Sequence, residues 1–139
     1  LGISQDDWGG RMHYLRWRQP DTARAWEVAG LDYDSTLGFA DHAGFRCGTC
    51  REYRAYDVLS QSPVALTLRP LIAMECTLLG AKYMCLRSKA AESYLEELKE
   101  RTQLVRGQFS ILWHNSEFFE PYKKTIYARA IVKTRDKVL

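Results

Sequence analysis

A histidine stands at the exit of a strand-like apolar segment near the end of the chain. The segment FSILWHN, residues 109–115, is mostly apolar and ends in Trp113, His114 and Asn115. An imidazole changes its charge near neutral pH, and α/β proteins place functional side chains beyond the carboxyl ends of their strands. His114 is therefore a candidate for proton transfer. The alternative is a structural histidine that is hydrogen-bonded to a neighbouring loop.

A second group of polar side chains lies near the start of the chain. The segment GGRMHYLRW places Arg11, His13 and Tyr14 at the exit of a predicted strand, after the breaker Gly9-Gly10. Carboxyl ends of parallel strands meet at one edge of a sheet. We therefore expect these side chains and His114 to reach the same rim.

Three further side chains are candidates for substrate binding. Arg46 carries a planar guanidinium that suits phosphate or carboxylate, and its alternative role is to pair with Asp34 or Asp57 and hold its loop. Asp34 is a candidate for bracing the rim. Trp113 is a candidate apolar wall of a binding pocket, and both residues also suit ordinary turn or core positions.

Two other motifs favour a structural interpretation. CGTC, residues 47–50, has the spacing of half a zinc site or of a redox pair. Because no second CxxC follows, we prefer to interpret Cys47 and Cys50 as two thiols in a loop. Asp6-Asp7 has only five residues before it and Arg11 shortly after it, and we assign this pair to a turn.

Length and composition indicate one compact domain over residues 1–139. The chain has 139 residues, of which 46% are hydrophobic, and a net charge of +3. The basic residues are scattered, which argues against a nucleic-acid partner. No apolar run approaches the roughly 18 residues of a transmembrane helix. The four cysteines form no obvious disulfide framework, which favours a cytoplasmic location.

Alternating strand and helix patterns predict the α/β class with a parallel sheet and helices on its faces. The predicted helices are a short one that Asp21 caps and Gly30 ends, a long one over 89–106 that Ser88 caps, and a closing one in YKKTIYARAIV. The predicted strands lie in RMHYLRW, LDYDSTLGF, VALTL, LIAMECTLL and FSILW. A long loop is predicted from the end of LDYDSTLGF to about residue 62.

Taken in order, several segments resemble the polysaccharide deacetylases of the NodB-homology class. They are RMHYLRW, YDSTLGFAD, GFRCGT, PLIAMECTL and LWHNS, which together cover nearly the whole chain. The resemblance is closest to the subgroup of bacterial surface polysaccharide and lipopolysaccharide O-antigen synthesis. It implies the C-terminal portion of a distorted (β/α) barrel, and a carbohydrate substrate from which an N-acyl group is hydrolysed.

The resemblance also implies roles for individual residues. His114 matches the late-strand histidine that protonates the leaving amine. Arg11 matches the arginine that orients the catalytic base, and Tyr14 matches the residue whose backbone N–H binds the oxyanion. His13 replaces a proline of that family's loop. The family uses a divalent metal, usually zinc, to activate a water molecule.

The family's metal ligands are not found in this chain. They are an aspartate of an Asp-Asp motif and two histidines at helical spacing, whereas His13, His42 and His114 are isolated from one another. We therefore expect the metal ligands and the base upstream of Leu1, and this chain alone to be inactive. Association with that missing portion, or an oligomer, is expected because half a barrel has unpaired strand edges. A non-catalytic carbohydrate-binding or assembly module is the alternative function.

Overall fold

The computed structural model describes residues 2–132, which form a mixed α/β fold. Two sheets and four α-helices are present in this part of the chain. The strands are β1 (Gly9–Gly10), β2 (Tyr33–Asp34), β3 (Tyr53–Asp57), β4 (Ser62–Leu68), β5 (Ala73–Met74) and β6 (Ile111–Leu112). The helices are α1 (Asp21–Val28), α2 (Glu75–Leu79), α3 (Ser88–Leu104) and α4 (Pro121–Ile131), with 3₁₀ turns at His13–Leu15 and Asn115–Phe119.

The larger sheet has the strand order β1-β2-β4-β3. The first three of these strands run parallel, and β3 is antiparallel to β4. The smaller sheet pairs β5 with β6 in parallel, with Met74 opposite Leu112. The α/β class is thus confirmed in its coarse form. Over residues 2–132 the two sheets remain separate and no barrel closes.

The first strand lies at the glycine pair, so the prediction of a strand in RMHYLRW was wrong. A Cβ atom at Gly9 would lie 2.1 Å from the backbone oxygen of Tyr33, so only glycine allows β1 to approach β2 this closely. The residues after β1 leave the sheet at once and form the 3₁₀ turn His13–Leu15. Arg11 therefore stands directly at the exit of a strand, as expected.

Two other boundaries differ from the predictions. LIAMECTLL was predicted as one strand, but only Ala73–Met74 is extended and Glu75 begins α2. The predicted loop up to residue 62 contains β3, in which only Ala55 and Asp57 are buried. The alternation of buried and exposed residues in β3 was hard to recognise because its two inward-facing residues are a small one and an acidic one.

The other three helices confirm the sequence predictions, with changes at their first residues. Asp21 is the first helical residue of α1 and Pro20 occupies the N-cap. Gly30 ends that helix with a φ of +70°. Ser88 likewise begins α3 without acting as its cap.

Helix α3 packs against α4 over the larger of two hydrophobic clusters. The spacing of apolar residues in 89–106 predicts a buried stripe of Ala91, Tyr94, Leu95, Leu98 and Val105, with Glu and Lys facing water. Ala91, Leu95 and Leu98 are buried, but Val105 is exposed. Lys99 was expected to face water and is only 7% exposed. Its ammonium donates hydrogen bonds to the carbonyls of Arg129 and Val132 at 3.2 Å, which stabilises the end of α4.

The smaller cluster packs α1 against β4 and holds the larger sheet. It contains Ala23, Ala55, Val64, Leu66 and Leu68. Among the described helices, none combines the length and the apolar character that a bilayer crossing requires.

Candidate functional site

The two strands of the smaller sheet deliver an acid and a histidine to the same edge. β5 and β6 run parallel, with Ala73 opposite Ile111, so the residues that follow them emerge side by side. Glu75 follows β5 directly, and His114 follows β6 after Trp113. Nδ1 of His114 is hydrogen-bonded to Oε1 of Glu75. His114 therefore lies at a strand exit and has a partner that the sequence analysis did not identify.

The environment of this pair is asymmetric. The side chain of Glu75 is 1% exposed, whereas that of His114 is 48% exposed. When Glu75 is ionised it can only accept a hydrogen bond, so Nδ1 of the imidazole carries the hydrogen. Nε2 is then left for a molecule in solution. This is the arrangement by which a buried carboxylate orients a histidine for proton transfer.

One oxygen of Glu75 has no hydrogen-bond partner within the described residues. Oε2 is buried and unpartnered, whereas Oε1 accepts from the imidazole. Leaving a buried carboxylate oxygen unpaired costs about 1–3 kcal/mol or more. An unpaired buried oxygen of this kind is explained by a catalytic role or by a bound ion or water molecule.

Cys76 lies beside the pair, at the second position of α2. Its thiol, a carboxylate oxygen of Glu75 and a ring nitrogen of His114 all lie within 4.8 Å of one another. Burial, followed by the charge of Glu75, raises the pKa of the Cys76 thiol. The free thiol is therefore protonated at neutral pH.

A cavity of about 250 Å³ beside β6 brings two predicted site residues together. Arg11 and Trp113 both line it. The ring centroids of Trp113 and Tyr127 are 5.5 Å apart, and those of Phe118 and Tyr127 are 5.0 Å apart. Nε1 of Trp113 is buried without a partner in the described residues, and the aromatic side chains give the cavity an apolar wall. The remaining lining residues are Ile111 and Leu112.

Arg11 is held in place by the segment after β2. Its Nε donates to the backbone oxygen of Ser35 at 2.7 Å, and its Nη2 donates to Oγ of Ser35 at 3.0 Å. Burial lowers the pKa of Arg11 and the charge of Asp34 opposes this shift; the guanidinium stays charged at neutral pH.

Asp34 is a buried bracing residue of the same region. Its two oxygens accept from the backbone N–H and the hydroxyl of Thr36, at 2.8 and 2.6 Å. That hydroxyl oxygen accepts in turn from the N–H of Met12 at 2.9 Å. Burial raises the pKa of Asp34, and the bonds from Thr36 act in the opposite direction. Asp34 thus fixes the loop that carries Arg11 and does not open toward a ligand.

His13 and Tyr14 lie on the 3₁₀ turn after Arg11. Tyr14 has a φ of 60° and is 78% exposed. Its ring packs on His13 with centroids 4.1 Å apart, and the Arg16 guanidinium lies 5.7 Å from the Tyr14 ring centroid. A non-glycine residue in the left-handed region is an energetically costly feature that often occurs at functional sites.

Arg46 and the CGTC motif lie in the loop before β3. Nη1 of Arg46 donates to the backbone oxygen of Gly38 at 2.9 Å. The suggested partner Asp57 instead pairs with Arg24. All four cysteines are free thiols, with Cys50 buried and Cys47 half-buried. Burial, followed by the Cys47 thiol, raises the pKa of Tyr53.

Glu75 is the functional candidate that sequence reasoning missed. It was included in a predicted buried strand, LIAMECTLL. The sequence nevertheless contains a signal for Glu75, because a single acidic residue within an apolar run is costly to bury unless it has a partner. The partner is 39 residues away, which no local pattern reveals.

The family that the sequence resembles holds its metal with an aspartate and a histidine pair, and that ligand set does not fit the residues present. The chain has three histidines. His42 bonds to Asp41 and stacks on Phe39, and His13 packs on Tyr14. Comparison with family models, with curated proteins and with solved structures gave no match.

Proposed function

We propose that this chain supplies the proton-donating part of a hydrolase that removes an N-acyl group from a sugar in surface polysaccharide or O-antigen biosynthesis. The observation that supports this proposal most is the hydrogen-bonded pair of Glu75 and His114 at adjacent strand ends. The fold to which the resemblance points, a distorted (β/α) barrel, is part of the same proposal. So is the expected divalent metal, whose ligands would lie upstream of Leu1.

His114 is the proposed catalytic acid. Amide hydrolysis requires a proton for the departing amine, because an amide anion is too basic to leave unprotonated. Glu75 holds Nδ1 of His114, so the half-exposed ring presents Nε2 to the sugar nitrogen. After the transfer, the buried carboxylate keeps the neutral ring in the tautomer that can accept a new proton.

Arg11 and Trp113 are the proposed binding residues. Trp113 and Arg11 line one cavity, and the half-buried ring of Trp113 offers an apolar wall against which a sugar can pack. Arg11 is preorganised by Ser35, and its charge would hold the catalytic base that the resemblance places upstream. The resemblance also implies that the backbone N–H of Tyr14 binds the oxyanion, and His13 and Arg46 remain proposed substrate-binding residues.

The test is amine release from N-acetylated amino sugars by the full-length protein. His114→Ala is expected to lower kcat by about 10²–10⁴-fold, the usual contribution of acid–base catalysis. His42→Ala is the matched control, because the side chain of His42 is 49% exposed and pairs with Asp41 at the surface. Wild-type rates in His114→Ala would contradict the proposal.

A carbohydrate-binding module is the second candidate, and the missing histidine pair favours it. Calorimetric titration of the same sugars, with metal and after chelation, separates the two functions. Sugar binding that needs no metal, together with no amine release by wild-type protein, would support the binding module and reject the hydrolase.

A further inference from the structure

We propose that Glu75, Cys76 and His114 form a binding site for a zinc-like transition-metal ion. This site is separate from the metal centre that the resemblance places upstream of Leu1. It uses a thiol, which that family's ligand set of one aspartate and two histidines does not contain. Three donor atoms within 4.8 Å of one another are the geometric basis of the proposal.

The unpartnered oxygen of Glu75 is the independent observation that points to a ligand. The side chain is 1% exposed, and Oε2 has no hydrogen-bond partner in the part of the chain that the structure describes. A buried carboxylate is stabilised by a cation that it contacts directly. An ion beside Glu75 would remove the cost of leaving this oxygen unpaired.

The donor set selects the class of ion. Thiolate, imidazole and carboxylate together suit Zn²⁺ and Co²⁺, whereas Mg²⁺ and Ca²⁺ prefer sites made only of oxygen ligands. Three protein ligands leave one position of a tetrahedral ion open. The half-exposed imidazole of His114 marks the side from which the ion and a water molecule enter.

Only small side-chain movements are needed to close the site. Ligand atoms of a tetrahedral zinc ion, each about 2.0–2.3 Å from the metal, are about 3.3–3.8 Å apart. The three donor atoms all lie within 4.8 Å of one another, so no separation has to close by more than about 1.5 Å, within the range of a side-chain rotation. The ion replaces the thiol proton of Cys76, which passes to solvent. It also comes between Nδ1 of His114 and Oε1 of Glu75, and the hydrogen of Nδ1 moves through solvent to Nε2, so the bound imidazole stays neutral.

Binding an ion and donating a proton to substrate are alternative uses of the same imidazole. An ion at the site would block the acid role assigned to His114, a consequence that rests on the proposed function. The metal site itself does not depend on the proposed function, and the test of the site does not require a measurement of enzymatic activity.

The experiment is a Co²⁺ titration of the chelator-treated full-length protein, followed by absorption. We expect a thiolate-to-cobalt charge-transfer band in the near ultraviolet and visible bands of tetrahedral cobalt, both of which Zn²⁺ removes by displacement. Cys76→Ser is expected to lose the charge-transfer band. Cys85→Ser is the matched control and keeps it, because that thiol is exposed and outside the group. An upstream site of aspartate and histidines would give no such band.

A measurement on the wild-type protein covers the case in which Cys76→Ser does not fold. We expect Zn²⁺ to slow alkylation of Cys76 by iodoacetamide, followed by mass spectrometry, and to leave alkylation of Cys85 unchanged. The proposal is overturned by equal alkylation of Cys76 with and without Zn²⁺. It is equally overturned by a charge-transfer band that persists in folded Cys76→Ser and disappears in Cys47→Ser.

Discussion

Replacing Gly9 by alanine tests whether β1 is fixed by its close approach to β2. The new methyl group would lie 2.1 Å from the backbone oxygen of Tyr33, whereas real Cβ contacts stay above 3.0 Å. β1 must therefore move by about 0.9 Å, the difference between these distances. This movement breaks the hydrogen bonds from Asp32 N to Trp8 O and from Ser35 N to Gly10 O, now 2.6 and 2.8 Å long.

The expected loss follows from these two bonds. Each backbone hydrogen bond contributes about 0.5–1.5 kcal/mol net, so Gly9→Ala should lower the free energy of unfolding by about 1–3 kcal/mol. Gly10→Ala is the matched control, because its methyl group would meet only Cη2 of Trp26, at 3.7 Å. That variant should change the free energy of unfolding little, or raise it by about 0.4–1 kcal/mol through a less flexible unfolded chain.

Urea unfolding followed by tryptophan fluorescence measures both variants. The difference between Gly9→Ala and Gly10→Ala is expected to exceed about 1 kcal/mol at unchanged slope. Equal midpoints for the two variants would refute the argument that close strand pairing requires glycine at position 9.

Three further predictions concern the core and its buried charges. Burial raises the pKa of Asp57, but hydrogen bonds from Ser60 and Arg24 outweigh burial and lower the pKa to about 2. The ionised Asp57 therefore stabilises the folded protein fully above the ordinary pKa of 3.8, and this contribution is lost as pH falls toward 2. Urea midpoints of wild type and Asp57→Asn should thus converge between pH 5 and pH 2, and a constant gap would contradict this. Leu78→Ala, at a fully buried position, should cost about 2–5 kcal/mol in urea unfolding; a loss below 1 kcal/mol would argue against tight packing there. Lys99→Ala should speed amide hydrogen exchange at the end of α4, whereas exchange there should stay at the wild-type rate in the exposed control Lys89→Ala.

Helices α1, α3 and α4 were predictable because their apolar residues recur at helical spacing. In α3, Ala91, Leu95 and Leu98 form the buried stripe. Lys99 was misassigned because its burial depends on carbonyls of α4, which lie 30 and 33 residues away. The local pattern therefore established the helix but not every contact on its buried face.

The candidate site was only partly predictable for a similar reason. His114 and Trp113 were found because they end an apolar strand, and Arg11 because it follows a break. Glu75 was missed because a helix begins where its apolar run suggested a strand. Its partnership with His114 arises from the parallel pairing of β5 and β6, which the sequence of neither strand determines.

The most direct test of the central claim is a double-mutant cycle on amine release by the full-length protein. If Glu75 acts on catalysis only by orienting His114, the variant with both Glu75→Gln and His114→Ala should have the same kcat as His114→Ala alone, within about threefold. Losses that multiply would show that the two side chains act independently and would contradict the account.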